Sequence, residues 1–254
     1  MEKLVVANLK MNLLSLVERE QYLKAFKKEI KGKKMSKAGM VLCPPFVHLE
    51  AFQKARLGET ALGAQDMFWE RSGSFTGEIS PAMLKNFGCE FVVVGHSERR
   101  RYFSESDEEV KMKIAAAFKI GLKPILCVGE TRVERNSGQA ARVIGRQVKS
   151  ALIDLSRAKA ENLTIAYEPV WAIGADVTPT AHEIMEVKVL VRKILVEIFG
   201  KKYANMVKII YGGNVTPQTT KETCLEPGLD GALVGRASLA PHEFIKIVEI
   251  INNN

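Results

Sequence analysis

The amino-acid sequence predicts an α/β protein that folds as a single (β/α)8 barrel, and three observations support this prediction. Short apolar segments with strand character alternate with helical patterns along the whole chain of 254 residues. The strand segments are continuous apolar runs, which is typical of parallel strands that are covered by helices. No linker rich in Pro, Gly or Ser interrupts the alternation, so we expect residues 1–254 to form one domain. About 250 residues is the usual length of eight βα units.

Each predicted strand is short and is bounded by glycine, proline or a polar cluster. The strands are predicted at residues 4–8, 40–43, 61–65, 91–95, 124–129, 163–168, 208–213 and 231–235. A doubly wound open sheet is the alternative arrangement, but it usually carries a glycine-rich turn after its first strand. Here that position reads Leu9-Lys10-Met11-Asn12, which favours the barrel.

Eight helices are predicted between and after the strands, and several have clear end signals. Ser80 and Pro81 are typical of an N-cap followed by proline in the first turn, and Thr180 with Glu183 matches a capping box. Gly121 can end the helix that precedes it. The helices are predicted at residues 14–31, 46–56, 81–87, 107–120, 138–159 and 181–200, in a short segment that begins at 216, and at 241–251.

Charge and hydropathy exclude several classes of partner. The net charge of +8 comes from Lys and Arg residues scattered along the helices, so no nucleic-acid partner is expected, although the positive field could speed the capture of a small anion. The longest apolar runs have strand length, far below the ~20 residues of a membrane span. The N-terminus lacks the pattern of a signal peptide. We therefore expect a cytoplasmic protein without a membrane partner.

The four cysteines are widely spaced and form no C-x-x-C pair. This spacing is typical of a reducing compartment and gives no framework for a metal, so neither a metal nor a cofactor is expected. Cys127 lies near the expected site, where we expect it to pack rather than to react.

The connection between Gln65 and Ser80 is unusually long and contains Phe68, Trp69 and Phe75. Loops of this length in compact domains are usually functional or packed against another surface. Insertion of the 66–78 loop into a partner protein is the favoured interpretation, and a self-packed Ω-loop is the alternative.

Catalytic groups of a (β/α)8 barrel lie at the carboxyl ends of the strands and in the loops that follow. In this sequence the rule places a cation, a histidine, a carboxylate and two glycine-rich turns at the same end of the barrel, where the strands have their carboxyl ends. They are Asn8 and Lys10 after strand 1, His96 after strand 4, Glu168 after strand 6, Gly212-Gly213-Asn214 after strand 7 and Gly235-Arg236 after strand 8.

Three of these groups also have a simpler interpretation. Glu168 could be an incidental residue of a turn, His96 a core histidine bonded to the backbone, and Lys10 a surface lysine. The glycines, in contrast, stand where backbone N–H groups approach a phosphate in such barrels. Taken together, a carboxylate base, a neutral histidine, a lysine and a phosphate site indicate proton abstraction next to a carbonyl group.

Glu168 is followed by a short, mostly apolar loop that begins with proline. A residue before proline is biased toward extended backbone, so we expect Glu168 where a strand opens into this loop. An apolar loop beside a carboxylate can act as a lid that expels water. The predicted lid consists of Pro169, Val170, Trp171, Ala172, Ile173 and Gly174.

Over essentially its full length the sequence resembles the triosephosphate isomerase family, whose fold is the TIM barrel. The resemblance rests on Asn8-x-Lys10-Met11-Asn12, Gly63-Ala64-Gln65-Asp66 and the motifs at residues 75–83, 94–100, 166–174 and 212–215, each at the strand end where the family has it. It implies the interconversion of dihydroxyacetone phosphate and glyceraldehyde 3-phosphate through an enediolate, in glycolysis and gluconeogenesis. A non-catalytic phosphate-binding barrel and an isomerase of another sugar phosphate are the alternatives.

The resemblance also implies roles for individual residues, in an enzyme family that is itself a well-known example of tuned acid and base groups. Glu168 would move the proton between carbons, and His96 would be the neutral electrophile that polarises the carbonyl. Lys10 would bind substrate beside Asn8, with Glu98 as a neighbouring carboxylate. Backbone N–H groups of Gly174, Asn214, Gly235 and Arg236 would hold the phosphate.

By the same resemblance the protein would be a homodimer in which the 66–78 loop docks into the second subunit. The implied interface residues are Asn12, Gln65, Trp69, Phe75 and Thr76.

Several positions depart from the commonest family pattern. Leu9 stands where tryptophan is usual, Asn214 replaces a serine, and Arg236 replaces a glycine in the phosphate loop. The far end of the lid reads Ala175-Asp176-Val177-Thr178-Pro179 instead of Thr-Gly-Lys-Thr-Ala, and this change is expected to stiffen its hinge.

Overall fold

The computed structural model describes residues 3–173 and 177–254 and contains a closed barrel of eight parallel strands. The strands follow one another in sequence order, and β1 pairs with both β2 and β8, which closes the barrel. They are β1 (Lys3–Asn8), β2 (Ala38–Cys43), β3 (Ala61–Ala64), β4 (Cys89–Val94), β5 (Lys123–Val128), β6 (Thr164–Tyr167), β7 (Lys208–Tyr211) and β8 (Gly231–Val234). The predicted barrel is confirmed.

The described residues form ten α-helices on the outside of the barrel. They are α1 (Leu16–Ile30), α2 (Leu49–Lys54), α3 (Pro81–Asn86), α4 (Ser97–Tyr102), α5 (Asp107–Ile120), α6 (Arg132–Asn136), α7 (Ala140–Leu152), α8 (Ala181–Phe199), α9 (Lys201–Ala204) and α10 (Pro241–Asn252). The predicted end signals of three helices are present. Ser80 Oγ accepts from Met83 N at 3.1 Å, Thr180 and Glu183 form a capping box, and Gly121 ends α5 in the left-handed conformation.

Two helix predictions are wrong in detail. The predicted helix at 138–159 ends at Leu152, and a separate 3₁₀ helix covers Arg157–Asn162. The segment at 216 begins as a turn, because Thr216 and Thr219 each accept a hydrogen bond from the other's backbone N–H. Such local side-chain bonds compete with regular helix formation. The turn leads into a π-helix at Lys221–Leu225.

Two apolar layers hold the barrel together. Ten buried residues fill its interior: Leu4, Val6, Val41, Cys43, Val93, Ile125, Cys127, Ala166, Ile210 and Leu233. Their strand neighbours, such as Val5 and Ala7, point outward into a second cluster shared with the helices. Both faces of each strand are therefore buried, which explains why the strands read as continuous apolar runs. Burial of each Val, Leu or Ile side chain among them contributes about 1.5–3 kcal/mol.

No helix among the described residues is long and apolar enough to cross a membrane. All four cysteines are free and buried.

Candidate active site

A cavity of about 390 Å³ opens at the carboxyl ends of the strands. The predicted groups that line it are Asn8, Lys10, His96, Glu98, Ile173, Gly212, Gly213, Asn214, Gly235 and Arg236, whereas Glu168 is buried beside His96 and is not part of the lining. A larger groove of about 650 Å³ lies between α1 and α2, but it is lined by helix side chains such as Lys24 and Glu50 and by none of the predicted groups. The smaller cavity is therefore the candidate active site.

Lys10 lies in the loop after β1 and is fixed from three sides. Its backbone is in the left-handed region, with φ of 53°, a conformation that costs a non-glycine residue about 1–2 kcal/mol. Its N–H donates to Asn8 Oδ1 at 3.0 Å, and its carbonyl accepts from Gln65 Nε2 at 2.9 Å. Its Nζ donates to Glu98 Oε1 at 2.5 Å. Three hydrogen bonds therefore hold a strained backbone and a charged tip in place.

His96 is buried at the N-cap of α4, and its hydrogen bonds select a tautomer. Its Nδ1 accepts a hydrogen bond from Glu98 N at 3.2 Å, so Nδ1 carries no proton. The ring proton of a neutral imidazole must then be on Nε2. In the neutral ring Nε2 is therefore the nitrogen that can donate a hydrogen bond, and it is the one that faces Glu168.

Glu168 is the first residue after β6 and is almost fully buried, with 1% of its surface exposed. Its Oε2 accepts a hydrogen bond from Ser97 N, in the first turn of α4, at 2.8 Å. Its Oε1 lies 3.1 Å from His96 Nε2 and accepts no hydrogen bond from any described residue. One carboxylate oxygen is thus anchored, and the other keeps free lone pairs. The anchor at Ser97 was not predicted, because a backbone donor leaves no mark in the sequence.

Gly212 provides the space in which the Glu168 side chain lies. A Cβ at Gly212 would stand only 2.9 Å from Glu168 Cγ. Gly235 plays a similar part for Lys10, since a Cβ there would lie 3.3 Å from Lys10 Cε. The glycines after β7 and β8 therefore allow the close approach of both charged side chains.

The turns after β7 and β8 also present backbone donors to the cavity. The N–H groups of Gly213 and Asn214 donate to no other described residue. Arg236 is the first residue of a 3₁₀ helix at Arg236–Leu239, where N–H groups lack intrahelical acceptors. This end of the cavity is suited to an anion with several oxygen acceptors.

The near end of the predicted lid is anchored by residues that were not predicted. Val170–Ala172 form a 3₁₀ turn in which Trp171 Nε1 donates to Glu130 Oε1 at 2.8 Å. Tyr167 donates to the same oxygen at 3.1 Å, and burial together with the Glu130 carboxylate raises the pKa of its hydroxyl. Arg132 donates to Trp171 O at 2.6 Å.

Ile173 reaches the cavity, whereas the predicted lid and phosphate residue Gly174 lies outside the described residues, as do Ala175 and Asp176.

Cys127 lies in the barrel interior beneath Glu168. It is fully buried, and burial raises the pKa of its thiol well above the usual range, with a further contribution from the Glu168 carboxylate. A thiol in this state is a poor nucleophile, which favours the packing role.

A buried ion cluster in the segments that follow β3 and β4 escaped sequence analysis. Asp66 lies between Lys113, with its Nζ 2.8 Å from Asp66 Oδ1, and Arg99, with its Nε 2.8 Å from Asp66 Oδ2. Glu105 contacts both cations. Burial raises the pKa of Asp66 to about 6, with the neighbouring Glu105 adding to the effect against the two cations. The cluster ties the base of the 66–78 loop to α4 and α5.

The 66–78 loop has a packed base and an exposed tip. The rings of Phe68 and Trp69 lie 4.0 Å apart, and those of Phe68 and Phe75 lie 4.5 Å apart. Residues 70–78 are exposed, including Thr76 and 43% of Phe75. Gln65 and Asn12 bond within their own chain, to Lys10 O and Leu9 O. The rings shelter one another, as in a self-packed loop, yet most of the loop stands in solvent.

Comparison with known proteins gives a consistent result. A family profile described as Triosephosphate isomerase matches residues 3–251. A protein of Dictyoglomus turgidum named triosephosphate isomerase is 46% identical over 248 residues, which cover 97% of this chain and 98% of that protein. Triosephosphate isomerases of Carboxydothermus hydrogenoformans and Thermoanaerobacter pseudethanolicus are 49% and 48% identical over 218 and 216 residues, each covering 85% of this chain and 87% of the relative. The chain therefore belongs to the triosephosphate isomerase family.

Proposed function

We propose that this protein is a triosephosphate isomerase, which interconverts glyceraldehyde 3-phosphate and dihydroxyacetone phosphate through an enediolate, without metal or cofactor. The observation that carries the proposal is the arrangement around Glu168. A buried carboxylate with one free oxygen lies 3.1 Å from the donor nitrogen of a neutral histidine. Lys10 lines the adjoining cavity.

In the proposed reaction, Glu168 Oε1 removes the proton from the carbon next to the carbonyl. In the structure Oε2 is bonded to Ser97 N and Oε1 is buried outside the cavity lining, so the carboxylate must turn away from Ser97 toward the cavity to reach the substrate. The His96 Nε2–H polarises the carbonyl and then passes protons between the two oxygens of the enediolate. The Lys10 ammonium, set beside Asn8 and Glu98, stabilises the negative charge that develops on these oxygens.

The phosphate is proposed to lie against the turns after β7 and β8. Backbone N–H groups of Asn214, Gly235 and Arg236 would donate to its oxygens, joined by Gly174 when the lid covers the site. The lid from Pro169 would exclude water and so limit loss of phosphate from the enediolate. Its near end turns about Trp171, whose indole is held by Glu130.

We further propose a cytoplasmic homodimer, formed from one-domain subunits through the 66–78 loop. Exposed apolar side chains support a second copy as the partner, since Met11, Leu14 and Val47 are each more than 80% exposed. His48 Nε2 lies 2.7 Å from Leu13 O, so the loops that carry these residues are neighbours. A contiguous exposed apolar patch on a globular protein commonly marks an interface. Asn12, Gln65, Trp69, Phe75 and Thr76 would contribute to it.

The test is a coupled assay that follows dihydroxyacetone phosphate as it forms from glyceraldehyde 3-phosphate. Turnover by the purified protein, lost in Glu168→Gln, is the expected result. A folded protein that binds inorganic phosphate without turnover would contradict the proposal and favour a non-catalytic barrel. Turnover of a larger aldose phosphate alone would favour a different isomerase.

A further inference from the structure

Arg236 differs from the other charged groups at the mouth of the cavity. Lys10, the other cation there, is paired with Glu98 at 2.5 Å. His96 is held as the neutral tautomer by the bond from Glu98 N to its Nδ1. The guanidinium of Arg236 makes no ion pair or hydrogen bond with any described residue, although Arg236 lines the same cavity. Its positive charge is therefore uncompensated at this rim.

Arg236 lies in the turn after β8, one of the two turns against which the phosphate is proposed to bind. Arg236 follows Gly235, and a Cβ added to Gly235 would lie 3.7 Å from Lys10 Nζ. The free N–H groups of Gly213 and Asn214 line the same part of the cavity. Guanidinium groups bind phosphate through paired, charge-assisted hydrogen bonds, which are stronger than neutral ones.

We propose that the Arg236 guanidinium binds the phosphate group of the substrate, in addition to the backbone donors, and thereby determines substrate affinity. The inference rests on the proposed function, since it assigns a second means of recognition to the same phosphate site. Arg236 contacts the unreacting end of the substrate, so its contribution is equal in the ground state and the transition state. Such binding lowers KM and leaves kcat unchanged.

The side chain is exposed, so its charge also acts on substrate in solution. An exposed cation beside a cavity raises the rate at which anions are captured, and added salt weakens this effect. Inorganic phosphate should compete for the same guanidinium.

The experiment compares Arg236→Ala and Arg236→Lys with a matched control, Arg157→Ala. Arg157 also starts an exposed 3₁₀ helix, but that helix precedes β6 and so lies at the opposite end of the barrel. The control removes the same charge away from the cavity. KM, kcat and the inhibition constant of inorganic phosphate are measured at low and at high ionic strength.

We expect Arg236→Ala to raise KM and the phosphate inhibition constant by about fivefold at low ionic strength, with kcat within about twofold of wild type. Both effects should shrink at high salt. Arg236→Lys should keep part of the affinity, and Arg157→Ala should resemble wild type. Unchanged KM and inhibition constant in Arg236→Ala would overturn the inference, as would an equal effect of Arg157→Ala or a loss confined to kcat.

Phosphate binding to the wild type and to Arg236→Ala, measured by calorimetry, separates this inference from the proposed function. If the wild type lacks isomerase activity, the proposed function fails. The Arg236 inference is then tested separately, by whether Arg236→Ala binds inorganic phosphate about fivefold more weakly than the wild type does.

Discussion

Gly212→Ala tests whether the position of Glu168 governs catalysis. The new Cβ would lie 2.9 Å from Glu168 Cγ and 3.3 Å from Tyr167 O, whereas ordinary contacts begin at 3.4 Å. The Glu168 side chain must therefore move by roughly 0.5 Å or more to relieve the clash. A misplacement of about 1 Å can cost about 10²-fold in rate. We expect kcat to fall by about 10- to 100-fold.

The assay is the coupled isomerase reaction, accompanied by a melting temperature for each protein. Gly145→Ala in α7 is the matched control, because its Cβ would meet only Ile194 Cδ1 at an ordinary 3.7 Å. That change should leave kcat unaltered and stabilise the helix by about 0.5–1 kcal/mol. A Gly212→Ala protein with normal stability and kcat within about twofold of wild type would refute the reasoning.

Three further changes probe the base, the interface and the buried ion cluster. Glu168→Asp withdraws the carboxylate by one methylene, and we expect about 10²-fold slower turnover in the coupled assay; near-normal rates would remove Glu168 as the base. Thr76→Arg and Trp69→Arg should weaken the dimer and activity together, and a fully active monomer in the ultracentrifuge would contradict the proposed interface. Asp66, with a folded pKa of about 6 against 3.8 for the free group, binds more protons in the folded state. The free energy of unfolding is therefore not reduced by Asp66 below about pH 4, where the group is protonated in both states. It falls by up to about 3 kcal/mol as pH rises from about 4 through 6, because the unfolded state loses its proton first. Urea unfolding of the wild type, compared with Asp66→Asn from pH 4 to 7, should show this difference in slope, and parallel curves would count against it.

The sequence predicted the barrel well because each strand carries its own signal. Continuous apolar runs bounded by glycine or polar residues mark β1 to β8, and the ends agree within two residues. The short helices α4 and α6 were missed because Ser97–Tyr102 and Arg132–Asn136 are nearly all polar or charged. Their formation depends on caps and on tertiary contacts rather than on apolar periodicity.

The site was predictable where its chemistry is carried by side chains at strand ends. Lys10, His96 and Glu98 line the cavity that the sequence predicted, and Glu168 stands beside His96. Contacts that depend on the folded backbone were not predictable. Ser97 N as the anchor of Glu168 is one example.

Buried polar side chains that accept hydrogen bonds are a second group of contacts that could not be predicted from the sequence. Glu130 lies in a polar turn, Gly129-Glu130-Thr131, where a solvated side chain is the default expectation. In the fold it is completely buried and accepts bonds from Trp171 and Tyr167. Only tertiary packing reveals that it holds Trp171 in the predicted lid.

The bond from Gln65 to the strained Lys10 backbone makes the position of Lys10, the proposed catalytic cation, dependent on a distant segment. Gln65 immediately precedes the 66–78 loop, which is proposed to bind the second subunit, and its side chain also donates to Cys43 O at 2.9 Å. When subunits separate, the 66–78 loop would lose order and the bond from Gln65 to Lys10 O would weaken. The position of Lys10 would therefore change while the barrel stays folded. Specific activity would then fall on dilution while far-ultraviolet circular dichroism stays constant.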